Sequence, residues 1–462
     1  MSDLIARLTD VVGDAHVLTG DVLASDYTHD EALGMAPVRP LAVVRPGTTA
    51  EVAALLRVAD ELGVPVTARG TGTGMSGACI PLADGIVVSF ERMAAILEID
   101  TANHTATVQP GVTLAELDEA TAAQGLVYPV FPGENSASLG GNVATNAGGM
   151  RAVKYGVTRH QVLGLEAVLP NGDTIRTGGK FVKSSSGYDL TQLVIGSEGT
   201  LALVTEATLK LYPRPAHTAT VLAPFLTLEG VTAAVPQVVT SGVGPLMLEY
   251  IDLLTMAAAT AYVGLELGLP QEVKDTALAY LVVVLEDASA DRLDEDTATV
   301  AELLLGLGAI DTYVLPPHAG AQLIDAREKA FWVAKANNAD EIVDVVVPRA
   351  AIPDYLQRVA ELAAASGSWI AGCGHAGDGN VHLSVFQSDE AARTALLHDL
   401  FAVGMQLGGA ISGEHGLGKQ KAGHFLALED PAKVALLRRI KAAFDPNGIL
   451  NPGTIYDLEG PT

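Results

Sequence analysis

The chain has 462 residues, 49% hydrophobic and 18% charged, with 28 basic against 54 acidic side chains and a formal net charge of −26. That composition excludes disorder and fits about three domains, and so anionic a surface argues against nucleic acid as a partner. Two cysteines, Cys79 and Cys373, are too few for a disulfide framework, a four-cysteine zinc site or a chain-borne iron–sulfur cluster, and suit a reducing compartment.

Residues 1–14 place acids early and contain no apolar run of signal-peptide type, so a cytoplasmic protein is expected. From residue 41 short β-branched runs alternate with helices. Residues 41–46, 65–70, 85–90 and 104–111 read as strands and residues 49–63 as a helix. A second helix follows at 113–125, with Thr113 as its N-cap and Gly125 as its stop. The strand at 163–170 meets the turn Asn171-Gly172-Asp173, a hairpin signal leading into 174–178. Another strand at 201–215 closes on Pro213 and Pro215. From 216 to 348 the helices lengthen around apolar strands such as 280–287 and 341–348. The uncharged stretch 230–248 carries Pro236 and Pro245 and reads as core helix plus strand, not a membrane span. Three units follow: a glycine-rich binding domain (1–215), a cap domain (216–418) and a C-terminal segment (419–462) that returns to the first.

The glycine loops carry the first chemical signal. Residues 69–77 (RGTGTGMSG) contain GxGxxG at Gly72, Gly74 and Gly77 after a strand. A Rossmann turn must open a helix whose N-terminus holds a pyrophosphate, and Pro81 and Gly85 forbid one. A Walker A loop needs Lys and Ser or Thr where Ala78 and Cys79 stand. What survives is an anion nest of backbone N–H groups, with Thr73 and Ser76 as added donors. Residues 132–149 add five glycines and six Ser, Thr or Asn, and residues 183–190 and 195–200 have the same character. Three such loops point to one extended, polar cofactor.

The second signal is histidine. His375 and His382 are seven residues apart, which in one continuous strand would send them to opposite faces. The intervening Gly377-Asp378-Gly379 turn could fold both imidazoles back to one point. Glu414 and His415 add a carboxylate and a third imidazole. Two histidines and a carboxylate with open positions suit a divalent metal that also binds substrate. Arg327, in DAREKAFW, has no unusual spacing and reads as a helix-surface arginine.

The order RGTGTGMSG, PGENSASLGGNVATNAGG, VLGLEAVLPNGD, KSSSGYDL, IGSEGTL and FDPNGILNPG resembles the FAD-linked oxidases of the vanillyl-alcohol oxidase type. Within them it is similar to the D-2-hydroxyacid dehydrogenases, the group of D-lactate dehydrogenase, the glycolate oxidase FAD subunit and D-2-hydroxyglutarate dehydrogenase. The resemblance spans residues 41–452. It implies an α+β fold: a two-lobed PCMH-type FAD-binding domain, an α+β cap over the substrate, and a C-terminal helical segment. The FAD-binding residues it implies are Arg69, Gly70, Thr71, Gly72, Thr73, Gly74, Ser76 and Gly77 around the pyrophosphate. Pro132, Gly133, Ser138, Gly140, Gly141, Asn142, Thr145, Asn146, Gly148 and Gly149 would line the isoalloxazine and ribityl chain. Gly196, Glu198 and Gly199 would meet the adenine side, with Asn451 completing the set. Thr73 stands where covalently flavinylated relatives carry histidine, so the FAD is expected to be non-covalent.

The resemblance also implies that His375, His382 and Glu414 bind the metal, with zinc expected and manganese or iron as alternatives, and that His415 is the catalytic base. An arginine in the stretch of Arg327 would clamp the substrate carboxylate, with Lys329 as its neighbouring rival. The D-2-hydroxyglutarate dehydrogenases carry a lysine where Ile342 falls, so a smaller acid such as D-lactate or glycolate is favoured over a dicarboxylate. The expected reaction is oxidation of a small D-2-hydroxyacid to the 2-oxoacid, hydride passing to flavin N5. Electrons would leave to a separate flavoprotein, cytochrome or quinone, through which the chain could sit peripherally at a membrane. Alternatives are D-2-hydroxyglutarate dehydrogenase, an FAD enzyme using another alcohol or forming an alkyl ether, or a non-catalytic FAD-binding subunit. A homodimer is left open.

Overall fold

The computed structural model describes residues 2–456. Its first lobe is a four-stranded sheet ordered Val17–Leu18, Ala42–Val44, Ile86–Ser89, Val66–Arg69, the last three parallel. The helix Thr49–Leu62 packs on it through Val52, Leu55, Leu56 and Ala59, capped by the Thr48 side chain and ended by Gly63 in the left-handed region. The second lobe is a five-stranded antiparallel sheet ordered Ile96–Asp100, Thr105–Val108, Leu203–Lys210, Val162–Val168, Thr174–Gly178. Its last two strands form the hairpin that the Asn171-Gly172-Asp173 turn predicts, with Val168 opposite Thr174. Thr113 caps the helix Leu114–Ala122 in a capping box with Glu116.

A seven-stranded antiparallel sheet follows, ordered Tyr313–Leu315, His217–Phe225, Ala279–Asp287, Met247–Asp252, Trp369–His375, Asn380–Phe386, Glu341–Val346. Period-two alternation divides its side chains. Leu248, Tyr250, Val343, Val345, Val381, Leu383 and Val385 enter one core under the helices Leu228–Thr240, Ala290–Gly306, Ile352–Ser366 and Glu390–Gln406. The strand residues between them face the other way, toward the first two lobes. Stretch 230–248 is indeed core helix, turn and strand, with Leu228–Thr240 leading to Met247–Asp252. Among the described residues no helix is long and apolar enough to cross a membrane.

The final segment divides its contacts. Phe425 and Leu428, on the helix Ala422–Leu428, join the core of the seven-stranded sheet. Leu450 instead pairs with Val66, and Asn451 N–H donates to the Val66 carbonyl, extending the first sheet.

Candidate active site

Two cavities meet between the lobes and the seven-stranded sheet, and Glu414 and His415 line both. The larger, about 170 Å³, is built mostly from backbone and small side chains. After the strand Val66–Arg69 the chain runs as an irregular loop with no helix, as Pro81 and Gly85 lead one to expect. Arg69, Gly70, Thr71, Gly72, Thr73, Gly74 and Ser76 line the cavity from this loop. Pro132, Ser138, Gly140, Gly141, Asn142, Thr145 and Gly148 line it from the second, and Glu198, Gly199 and Asn451 complete it.

Five of the expected cofactor-binding residues do not line it. Gly77 packs against Met35, Asn146 ends the helix Leu139–Thr145 in the left-handed region, Gly196 N–H donates to the Val143 carbonyl, and Gly149 lies against the Phe131 carbonyl at φ +108°. They shape the loops, and Gly149 does so at a close backbone approach that only glycine tolerates. Gly133 lines the smaller cavity. Residues 183–190 are all exposed and line neither cavity, unlike 197–199. Asp30 and Cys79 also line the large cavity, without any motif to announce them.

The smaller cavity, about 90 Å³, carries the charged groups. His375 ends one strand and His382 lies in the next, opposite Cys373, with the turn 376–379 folding them together. Both stand on the sheet face turned toward the lobes. Loop 410–416 runs beside the edge strand Glu341–Val346, bridging at Val346–Ala410 and Asp344–Ser412, and so returns Glu414 and His415 to that face. His375 Nε2 lies 3.0 Å and His382 Nε2 3.2 Å from the same oxygen, Glu414 Oε1.

Two buried carboxylates hold this cluster, and neither belongs to a motif. Glu249, fully buried, accepts a hydrogen bond from His375 Nδ1 at 2.8 Å and lies 2.9 Å from Arg327 Nη2. The proton on Nδ1 leaves the Nε2 lone pair free to ligate. Asp344, also fully buried, accepts from the Ser412 hydroxyl, the backbone N–H groups of Gly413, Glu414 and His415, and Asn380 Nδ2. Asp344, His382, Glu414 and His415 offer ligand atoms within 4.8 Å of one another. Asp344 Oδ2 already accepts four hydrogen bonds, however, so its work is to pin the Ser412–His415 turn.

The electrostatics follow from burial. Loss of water would raise the Glu414 carboxyl, but His375 and His382 outweigh it and hold it well below the usual carboxylate range. Burial would likewise lower His375, but Glu249 and Glu414 raise it. Carboxylates on both sides of one imidazole demand positive charge between them, as a proton or as a cation. Burial lowers His415 against the pull of Asp344, leaving it neutral near pH 7 with Nδ1 unpaired. Arg327 is 7% exposed, not a surface residue, and its Nε and Nη2 make no hydrogen bond. Lys329 stands at the surface beside Asp325, 4.0 Å away, and does not line the cavity.

Comparison with known proteins agrees with this architecture. Residues 40–178 match the FAD binding domain family, and residues 214–455 match the C-terminal domain of the FAD linked oxidases. The chain is 58% identical to an uncharacterized FAD-linked oxidoreductase of Mycobacterium tuberculosis, over 99% of both chains. It is 36% identical to a D-lactate dehydrogenase of Anaerostipes hadrus, over 96% of this chain and 95% of that one. Among solved structures, p-cresol methylhydroxylase with bound substrate superposes with a TM-score of 0.82 at 18% identity, over 100% of this chain and 98% of that one.

Proposed function

The chain belongs to the FAD-linked oxidases and is an FAD-dependent oxidoreductase, and from that premise we propose that it oxidises a small D-2-hydroxyacid to the 2-oxoacid. The observation that carries this reading is the meeting of the two cavities at Glu414 and His415. A space there lined by the backbone of the glycine loops adjoins a cluster suited to an alcohol and a carboxylate. The similarity to a D-lactate dehydrogenase supports the substrate class and its handedness.

In this reading His375 Nε2, His382 Nε2 and Glu414 hold one divalent cation. The donor set fits: three converging ligand atoms, on a buried His375 and a partly buried His382 and Glu414, with Glu249 fixing the His375 tautomer. Two nitrogens and one oxygen with open positions favour zinc, with manganese or iron as alternatives. When bound, FAD supplies the two-electron acceptor that takes the Cα hydrogen with its bonding pair, and the cation supplies the Lewis acidity that lowers the hydroxyl pKa. Arg327, held through Nη2 by Glu249, offers its remaining donors to the substrate carboxylate. His415, neutral, takes the hydroxyl proton on a ring nitrogen. Electrons then leave to a separate acceptor.

The FAD is held without a covalent bond. Thr73 offers no ring nitrogen, and Cys79, the cavity's cysteine, is pushed up to about 12 by loss of water, then by Asp30, and stays a thiol. Acid precipitation should therefore release the yellow colour; colour that stays with the polypeptide would overturn this point. The reaction itself is tested with a panel of D- and L-2-hydroxyacids and an artificial dye acceptor. Dye reduction confined to D-substrates is expected. Preference for L-substrates, or reduction by none, would contradict the reading.

A further inference from the structure

We infer that the smaller cavity receives an uncharged hydrocarbon tail, so that the substrate is a 2-hydroxyacid whose side chain is apolar and several carbons long. This rests on the preceding reading of the site and narrows its substrate class.

The argument begins with the register of the sheet. Asp344 pairs with His382, and Ile342 pairs with Ser384, one pleat further along the same two strands. Side chains on one face repeat every two residues, about 7 Å along a strand. Ile342 and Ser384 therefore stand about 7 Å from the row that holds His382. A tail directed from the His382 row toward Ile342 would span that distance with several carbons.

The surroundings at that end are apolar. Ile342, Phe331, Ala330, Met150 and Cys373 line the cavity. Ile342 packs with Ala334, Ala339 and Phe331, and Met150 and Cys373 belong to the core beneath the sheet. Of the cations, Arg327 is committed to Glu249 and the substrate's first carboxylate, and no lysine lines the cavity among the described residues. A second carboxylate at the end of the tail would face Ile342, Phe331 and the Ser384 hydroxyl with no cation to pair it, a costly case for a buried charge. The remaining acid of the lining, Glu328, adds no attraction.

Glycolate, with no side chain, would leave the Ile342 end unfilled, and each methylene added there leaves water for an apolar wall. Such burial is worth about 4-fold in kcat/KM per group.

The test is a series of D-2-hydroxyacids on the FAD-loaded protein with an artificial dye. Glycolate, D-lactate, D-2-hydroxybutyrate, D-2-hydroxyisocaproate and D-2-hydroxyglutarate differ only in the tail. The expected order rises from glycolate to D-2-hydroxyisocaproate by about 4-fold per carbon, with D-2-hydroxyglutarate at least tenfold below the latter. Ile342→Lys, scored only if it keeps its FAD, should shift that last ratio toward the dicarboxylate by tenfold or more. Activity that falls as the apolar tail grows, or a wild-type preference for D-2-hydroxyglutarate, would overturn the proposal while leaving the hydroxyacid reading intact. An Ile342→Lys variant with unchanged ratios would overturn it too. Failure of every member to reduce the dye would instead remove the reading on which it rests.

Discussion

The two cavities are built in different ways. The larger is walled by backbone and small side chains, whereas the smaller is walled by ionisable side chains that buried carboxylates hold in place. A backbone-lined site spreads recognition over many weak contacts, so removing one hydroxyl is tolerable and adding one Cβ is not. In a site of buried charges each group holds the next, and one substitution leaves a partner uncompensated.

The largest effect should fall on the charged side. His415→Ala should lower kcat by about 10²- to 10⁴-fold with normal FAD content; unchanged turnover would remove the base. Asp344→Ala orphans the backbone N–H groups of Glu414 and His415, while Gly413 N–H keeps the carbonyl of residue 344. It should cost about 3 kcal/mol of stability in urea unfolding, since each buried unsatisfied donor costs about 1–3 kcal/mol. Glu249→Gln keeps the shape but loses the anion that orients His375, and should weaken metal binding by about 10- to 100-fold, read by competition with a chelator.

On the backbone side the contrast should reverse with residue size. Gly72 sits at φ +81° against the Arg69 guanidinium, and Gly72→Ala should weaken FAD binding by about 5- to 160-fold, from roughly 1–3 kcal/mol of strain. Thr73→Ala removes one donor and should cost only about 1 kcal/mol. Equal losses in the two would erase the distinction drawn here.

The smallest expected effect concerns pH. Desolvation, then Asp325, pushes the Glu328 carboxyl up to about 7, opposed by Lys329, Arg151 and Arg327. Below pH 7 it is mainly neutral; above it, a negative charge at the cavity repels the substrate carboxylate. KM for a hydroxyacid should therefore rise a few-fold as pH passes upward through about 7, since a nearby unit charge in solvated surroundings is worth about 1 kcal/mol. Glu328→Gln should flatten that rise.

The same contrast governs what could be read in the sequence. The glycine loops are visible because a ligand that approaches backbone requires small residues over a long stretch. The paired histidines and Glu414-His415 are visible because glycine frames them. Glu249 and Asp344 escaped because each stands between apolar neighbours inside a strand, MLEYID and EIVDVV, with no motif around it. Their one signal is that a lone carboxylate in a buried strand must be paired. Arg327 looked like a surface residue because its partner, Glu249, lies 78 positions away in sequence. Residues 183–190 failed in the opposite sense: a solvent loop and a cavity loop share small, polar composition, and composition does not encode burial.

The central claim is that His375, His382 and Glu414 hold one divalent cation whose presence the oxidation requires. It is tested most directly by mixing the yellow protein anaerobically with a D-2-hydroxyacid before chelation, after chelation and after restoring zinc or manganese. Bleaching of the flavin that is lost with the metal and returns with it, while FAD stays bound throughout, is the expected result. Bleaching that persists in the metal-free protein, or in a His375→Ala/His382→Ala variant, would contradict the account.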